Sequence, residues 1–497
     1  MASVGPGLAA ELGLVSPSIA AESPERLLFG DREPLARLME DTPAEKLLPI
    51  LVEKYKDGTT LEELVAAGAL ANARMFGGLD YEGHHAFNSL LPSLQMSREL
   101  PADHRALPVL KVLHRNTSCM QGGGGSSHEQ LHPVVPAKLP NGRPGQDLLR
   151  DAIRAQSYEV SESTMAALIH QPLGDAYNDL QHSLYDGIDV HRIVIAWRAW
   201  ATIDVVGQEN ALTLLRQSIR FCVRVQEGKI QTNIRTVLPE LMERHQFFGK
   251  SPGNRRATDA WVEELSSTLY NATPKEAAAA AANALAEGFA PEDIGEAISL
   301  AANRLVLCDA GRTNKQASRE APVGSVHGNS IGVHASDAIN AWRNIVRTAS
   351  PRHIFAGLIV AAFQSTVRPE HDGPLREEPL PDGAELQKAA AKDAAMLLTE
   401  TDDAIRAGDQ AGAAALVHRY GELKLPERPV FDLLLRYACS EDGSMHAEKY
   451  YRTVVEEFAT TRPAFRWRQL VGLARVTASE YGHPAPGYAE AVDLLKV

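Results

Sequence analysis

The chain has 497 residues, of which 44% are hydrophobic and 23% charged, and a formal net charge of −13. That length calls for two to four cores at roughly 150 residues each, and the composition belongs to a folded chain rather than a disordered one. The acidic balance, with no dense Lys/Arg run, argues against nucleic acid as a partner, and no apolar stretch reaches the roughly 18 residues of a membrane-spanning helix.

Residues 1–29 start the chain as MASVGPGLAAELGLVSPSIA, with small residues but neither the basic start nor the apolar run of a secretory signal, and read as a flexible tail. Cys119, Cys222, Cys308 and Cys439 include no C-x-x-C pair. This spacing argues against a disulfide scaffold, a zinc ribbon, an iron–sulfur cluster and covalent haem, and it predicts a reducing, cytoplasmic location with a small molecule as partner.

From residue 30 onward, Ala/Leu/Glu-rich segments of 3.6-residue period recur, as in PKEAAAAAANALAEGFAPEDIGEAISLAANRLVL, and β-branched alternation is scarce. The predicted fold class is all-α. An internal repeat runs through these segments at four places in the same order. Gly58 to Arg74 matches Gly288 to Arg304, sharing Glu62/Glu292, Ala67/Ala297 and Leu70/Leu300. Gly83 to Thr117 matches Gly332 to Thr366 without a gap, pairing His85 with His334 and His104 with His353. His132 with Leu139-Pro140-Asn141-Gly142 matches His371 with Leu380-Pro381-Asp382-Gly383, and His182 matches His418. The pattern predicts a tandem duplication, residues 30–255 and 256–497, whose halves pack about a pseudo-twofold axis with a shared site at the seam. Such an internal pair is compatible with a monomer or a homodimer.

Histidine is the informative residue type. His85 and His334 each open a helix just after a glycine, which would leave backbone room for a ligand, and His84 and His327 would complete three or four nitrogen ligands. Asp337, one turn after His334, would orient an imidazole. His191 and Arg198 lie one heptad apart in DVHRIVIAWRAW beside an apolar helix face, a setting that suits a core histidine; if they face the seam, they are catalytic candidates with Arg198 as an anion or carboxylate clamp. His128-Glu129-Gln130-Leu131-His132 matches H-E-x-x-H formally, with His128 and His132 as zinc ligands, yet a run of four glycines before it and Pro133 after it leave little over one turn of helix.

The loop glycine, acidic first turn, helix ending in Arg74 or Arg304 and downstream His85 or His334 resemble the helical unit of the carboxymuconolactone decarboxylase and alkylhydroperoxidase-like family. The resemblance covers residues 58–85 and 288–334. That family's peroxidases carry a C-x-x-C before the histidine, and its absence here excludes thiol peroxidase chemistry. The long, histidine-rich helical layout is similar to questin oxidase-like proteins, which implies oxidation of aromatic polyketides.

The sequence therefore predicts a metal-dependent oxidoreductase, oxygenase chemistry included, acting on a small organic substrate with iron, zinc or copper. It has no dinucleotide fingerprint for NAD and leaves haem and flavin open. A helical scaffold built on residues 386–497 is the alternative, and a zinc hydrolase using HEQLH is the third reading. A separation of His85 and His334 beyond about 15 Å would defeat the seam site.

Overall fold

The structure, a computed structural model, describes residues 25–225, 233–328, 330–366, 375–389 and 393–497. Residues 1–24 of the expected tail, and His371, lie outside the described residues. The architecture is all-α, as the periodicity predicts; the described residues contain isolated β-bridges but no strand. No helix among them is long and apolar enough to cross a membrane.

The first half holds α1 (Glu33–Asp41), α2 (Ala44–Lys56), α3 (Leu61–Phe76), α4 (Tyr81–Ser97), α5 (Ala106–Gly122) and α6 (Gly145–Arg154). It continues with α7 (Tyr158–Leu168), α8 (Leu173–Leu184), α9 (Val190–Val206), α10 (Ala211–Arg224) and α11 (Ile234–Arg244). The second half opens with α12 (Asp259–Asn271), α13 (Pro274–Ala286), α14 (Pro291–Cys308), α15 (Ile331–Thr348) and α16 (Pro351–Ser365). Then come the short α17 (Gly383–Lys388), α18 (Ala394–Arg406), α19 (Gln410–Glu422), α20 (Arg428–Ser440), α21 (Ala447–Thr460), α22 (Trp467–Glu480) and α23 (Tyr488–Leu495).

Local chemistry sets many of these boundaries. Thr60 and Glu63 form a reciprocal capping box at the start of α3, and Thr273 and Glu276 do the same for α13. Each cap satisfies amide groups that the helix itself cannot, an effect of about 1 kcal/mol. Pro274, Pro291 and Pro351 take the first position of α13, α14 and α16, where the missing N–H costs nothing. Gly77 ends α3 in the left-handed conformation.

Tertiary packing follows one pattern in both halves. α1 packs on α3 and α2 on α5, while α12 packs on α14 and α13 on α16. α3, α4 and α5 pack on one another, as do α14, α15 and α16. α9 and α10 then correspond to α21 and α22: α10 lies against α3 and α7, and α22 against α14 and α19. Two features cross between the halves. α9 lies on α15 and α21 on α4, and the last helices are exchanged, with α11 seated on α13 and α16 and α23 seated on α2 and α5.

The apolar interior reflects this interlocking. One continuous core runs from Phe29 through Phe363 and takes in Ala491 of α23, so it passes across residue 255 without a break. A smaller core is formed mainly by α18 to α22, and Met96 of α4 inserts into it. The helices α4, α9, α15 and α21 meet where the halves touch.

Candidate metal centre

All four of those helices begin at the same place. α4 is capped by Asp80, whose carboxylate accepts from the Gly83 amide, and α9 by Asp189, whose carboxylate accepts from the amides of His191 and Arg192. α15 is capped by Ser330, and His446 directly precedes α21. The glycine before each repeated histidine works differently from the sequence expectation of ligand room. A Cβ on Gly83 would lie 2.4 Å from the Phe76 ring, and one on Gly332 would lie 2.5 Å from the Val306 backbone. Those glycines let α4 and α15 approach α3 and α14 closely, and this approach fixes where His85 and His334 point.

Five imidazoles converge at the four helix starts. His85 and His191 face each other with Nε2 atoms 3.2 Å apart, and His334 and His446 do so at 3.3 Å. The two pairs adjoin. Ring centroids lie 4.8 Å apart for His85 and His191, 5.5 Å for His191 and His334, 5.3 Å for His334 and His446, and 5.0 Å for His446 and His85. His85 and His334 are therefore well inside the separation that would have defeated a shared site. His84 adds a fifth ring 4.7 Å from both His85 and His191, and one nitrogen each from His84, His85 and His191 fall within 4.8 Å of one another.

Hydrogen bonds assign the tautomers. His85 Nδ1 lies 2.7 Å from the Tyr81 carbonyl oxygen and His446 Nδ1 2.8 Å from that of Ser444. A carbonyl only accepts, so each Nδ1 carries the proton and each Nε2 presents a lone pair. His191 Nδ1 is 3.3 Å from the Asp189 carboxylate, which orients that ring in the same sense. At 3.2 and 3.3 Å each facing pair is either an N–H donated to a lone pair or two nitrogens that share a cation. Imidazoles sharing one ion, with bonds of about 2.1 Å, hold their nitrogens roughly 3.0–3.4 Å apart. Both facing pairs fall in that range. His84 is buried, and neither of its ring nitrogens finds a partner among the described residues.

Electrostatics keep His84, His85, His334 and His446 uncharged. Burial, reinforced by the neighbouring His191 and Lys449, holds His84 and His334 below the usual histidine range, His334 at about 3. His85 and His446 are pushed down by burial and then by Lys449. Burial alone would raise Asp189, but its hydrogen bonds and charge pairing with His191 prevail and hold it at about 2. Four helix N-termini add positive potential, which disfavours imidazolium further. Lys449, buried beside the rings, is lowered to about 8 by desolvation against the pull of Asp337 and Glu448. Asp337 is raised by its own burial and accepts from the Thr453 hydroxyl at 2.8 Å. Arg198 is buried too, lowered by desolvation while Glu456 and Asp337 oppose. It stands behind the rings among carboxylates.

The other sequence candidates lie elsewhere. His327 has both nitrogens engaged, Nδ1 with the Ser479 hydroxyl at 2.8 Å and Nε2 with the Glu320 carbonyl at 2.9 Å, so it has no lone pair to offer. His128 ends a 3-10 turn, and residues 129–132 have no helical structure, so the spacing of H-E-x-x-H does not place His128 and His132 on one helix face. Glu129 is held by Arg26 at 2.5 Å and Arg74 at 3.4 Å, which makes it part of a structural ion network. Among the other repeated histidines, His104 is exposed and pairs with Asp103, His353 bonds Tyr185, and His182 sits beside Arg150 and Asp147.

His446 was not found from the sequence. Continued past His182 and His418, the repeat alignment pairs Ala211 with Ala447 and Arg216 with Arg452 and so sets α10 against α21, whereas the packing sets α9 against α21. A local signal does exist: Asp186-Gly187 precedes His191 and Asp442-Gly443 precedes His446, each by a few residues at a helix start. A cavity of about 670 Å³ near Leu100, Leu398 and Leu433 is lined by none of these imidazoles. Comparison of the chain with family models, curated proteins and solved structures returns no match.

Proposed function

We propose that this chain is a metal-dependent oxidoreductase that binds a cation at His84, His85 and His191, with the adjoining His334 and His446 as candidates to complete the set, and oxidises a small organic substrate there. The observation that carries the reading is the convergence of one nitrogen each from His84, His85 and His191 within 4.8 Å of one another, with both ring nitrogens of the buried His84 unmet among the described residues. Burying polar atoms without partners costs free energy, and a ligand that meets them repays it.

An all-nitrogen set suits iron, copper or zinc. The first two would supply electron transfer and activation of oxygen, which fits the resemblance to questin oxidase-like proteins. This chain's own residues would hold and orient the imidazoles through Asp189 and the Tyr81 and Ser444 carbonyls, and keep protons off them. His191 and His334 are partly exposed and Tyr81, beside them, is 52% exposed, so a substrate would approach from that side. The shared packing order of the two halves supports their origin by duplication, with one pair of ligands from each. A helical scaffold has no use for a buried cluster of imidazoles with unmet nitrogens at His84, and the engaged Glu129 removes the support for a hydrolase at HEQLH.

Elemental analysis and a visible spectrum of the full chain, purified without chelators, test the reading. Near-stoichiometric metal that is lost in His85→Ala and His334→Ala but kept in His128→Ala is the expected result. A metal-free protein, or metal that leaves only with His128, overturns it.

A further inference from the structure

Beyond the seam, one line of aromatic residues leads away from it and ends at a base. Trp342 lies on α15 two turns past His334, about 12 Å along the helix axis at 1.5 Å per residue. Its indole is fully buried and donates to the Gln364 side-chain oxygen at 2.8 Å. The Tyr185 ring stacks on it across the contact between the halves, with centroids 5.8 Å apart and planes 20° apart. The Tyr185 hydroxyl meets His353 Nδ1 at 2.8 Å, and His182 lies 6.4 Å from both of these rings. His182 in turn reaches the half-exposed carboxylate of Asp147 at 3.3 Å.

A buried tyrosine needs a partner, and a backbone carbonyl would satisfy it. Here the nearer partner is an imidazole nitrogen, which can take the phenolic proton as well as accept a hydrogen bond. Burial holds His353 at about 4, so it is an uncharged base at neutral pH.

We propose that Trp342, Tyr185 and His353 form a proton-coupled electron relay that supplies single electrons to the histidine site and carries the resulting oxidising equivalent away from it. The inference rests on the oxidoreductase reading of that site. An electron leaves the Trp342 indole for the oxidised centre, and one from Tyr185 replaces it. The phenolic proton passes to His353 Nδ1 in the same step, leaving a neutral tyrosyl radical and an imidazolium. A soluble thiol or ascorbate-type reductant returns the electron near His182, and the proton returns from His353 to the phenol oxygen. The relay would spare the site's ligands when no substrate is present to be oxidised.

The test loads the full chain with ferrous ion, verifies metal content, adds hydrogen peroxide without substrate and freezes samples for electron paramagnetic resonance. The expected result is a tyrosyl radical that narrows with ring-deuterated tyrosine and disappears in Tyr185→Phe. It should form about 100-fold more slowly in His353→Gln, where the proton acceptor is lost. Ring deuteration leaves the fold untouched, and metal content checks each variant's site. With metal bound, a signal that survives Tyr185→Phe, a rate unchanged in His353→Gln, or no deuterium-sensitive radical overturns the relay. Failure to bind iron overturns the relay, failure to bind copper and zinc as well overturns the site reading with it, and elemental analysis distinguishes these outcomes from the others.

Discussion

Two regions of this molecule bury charged and polar side chains at high density, and they are finished differently. Under α1 and α3, Arg74 has no exposure and every direction of its guanidinium is met: Nε and Nη2 donate to Glu40 at 2.9 and 2.7 Å, and Nη1 to Glu33 and the Leu27 carbonyl. Arg26 closes the network onto Glu40 and Glu129. At the seam, by contrast, imidazoles crowd one another and neither nitrogen of the buried His84 has a hydrogen-bond partner among the described residues. The Arg74 guanidinium has every donor met and specifies the fold, whereas the unmet nitrogens of His84 are those that the proposed cation would meet. Burial alone does not separate the two cases, whereas the state of each lone pair does.

The sharpest way to break the contrast is Arg74→Ala. It strands Glu40 beside Glu33 and Glu129, and chemical denaturation should show a loss of about 3–5 kcal/mol, as for other broken buried ion networks. A loss under about 1 kcal/mol would mean that the network is not the structural one. At the seam the order reverses. His85→Ala should lower metal affinity by at least about 100-fold in a competition titration while changing the stability of the metal-free protein by less than about 1 kcal/mol.

pH sharpens the comparison further. His334 is held at about 3 when folded, below the roughly 6.5 of an unfolded histidine, so the unfolded chain binds the extra proton first as pH falls. Its contribution is fully present above about pH 6.5 and drains away toward pH 3 at about 1.4 kcal/mol per unit. Denaturation of metal-free protein at pH 6.5 and 5 should therefore show a shallower loss in His334→Gln than in wild type. Asp189→Asn, which keeps the cap but weakens the orientation of His191, should cost only about tenfold in metal affinity. An unchanged affinity would remove Asp189 from the site.

The all-helical class was legible because amphipathic period and capping residues are local properties: Thr60, Glu63, Thr273 and Pro291 announce their helices without help from the fold. His85 and His334 were legible because they sit in a gapless stretch of the internal match, and His84 and His191 because they lie in distinctive local settings. His446 was not, since recognising it requires knowing which helices take the same place in space, and alanine-rich helices align in more than one register. His327 and His128 were read as ligands from type and spacing alone. Only the partners of their nitrogens, or the missing helix around them, exclude those roles, and neither is written in spacing. The glycines at 83 and 332 were noticed for the right position and the wrong reason, because close contact with Phe76 and Val306 is a property of packing.

The exchange of α11 and α23 bears on how the protein is made. The seat for α23 on α2 and α5 lies in the first half, while α23 itself spans residues 488–495. During synthesis the ribosome delivers that seat hundreds of residues before its occupant. Until α23 is made, the faces of α2 and α5 that it covers are without their occupant, so this contact closes only late in synthesis.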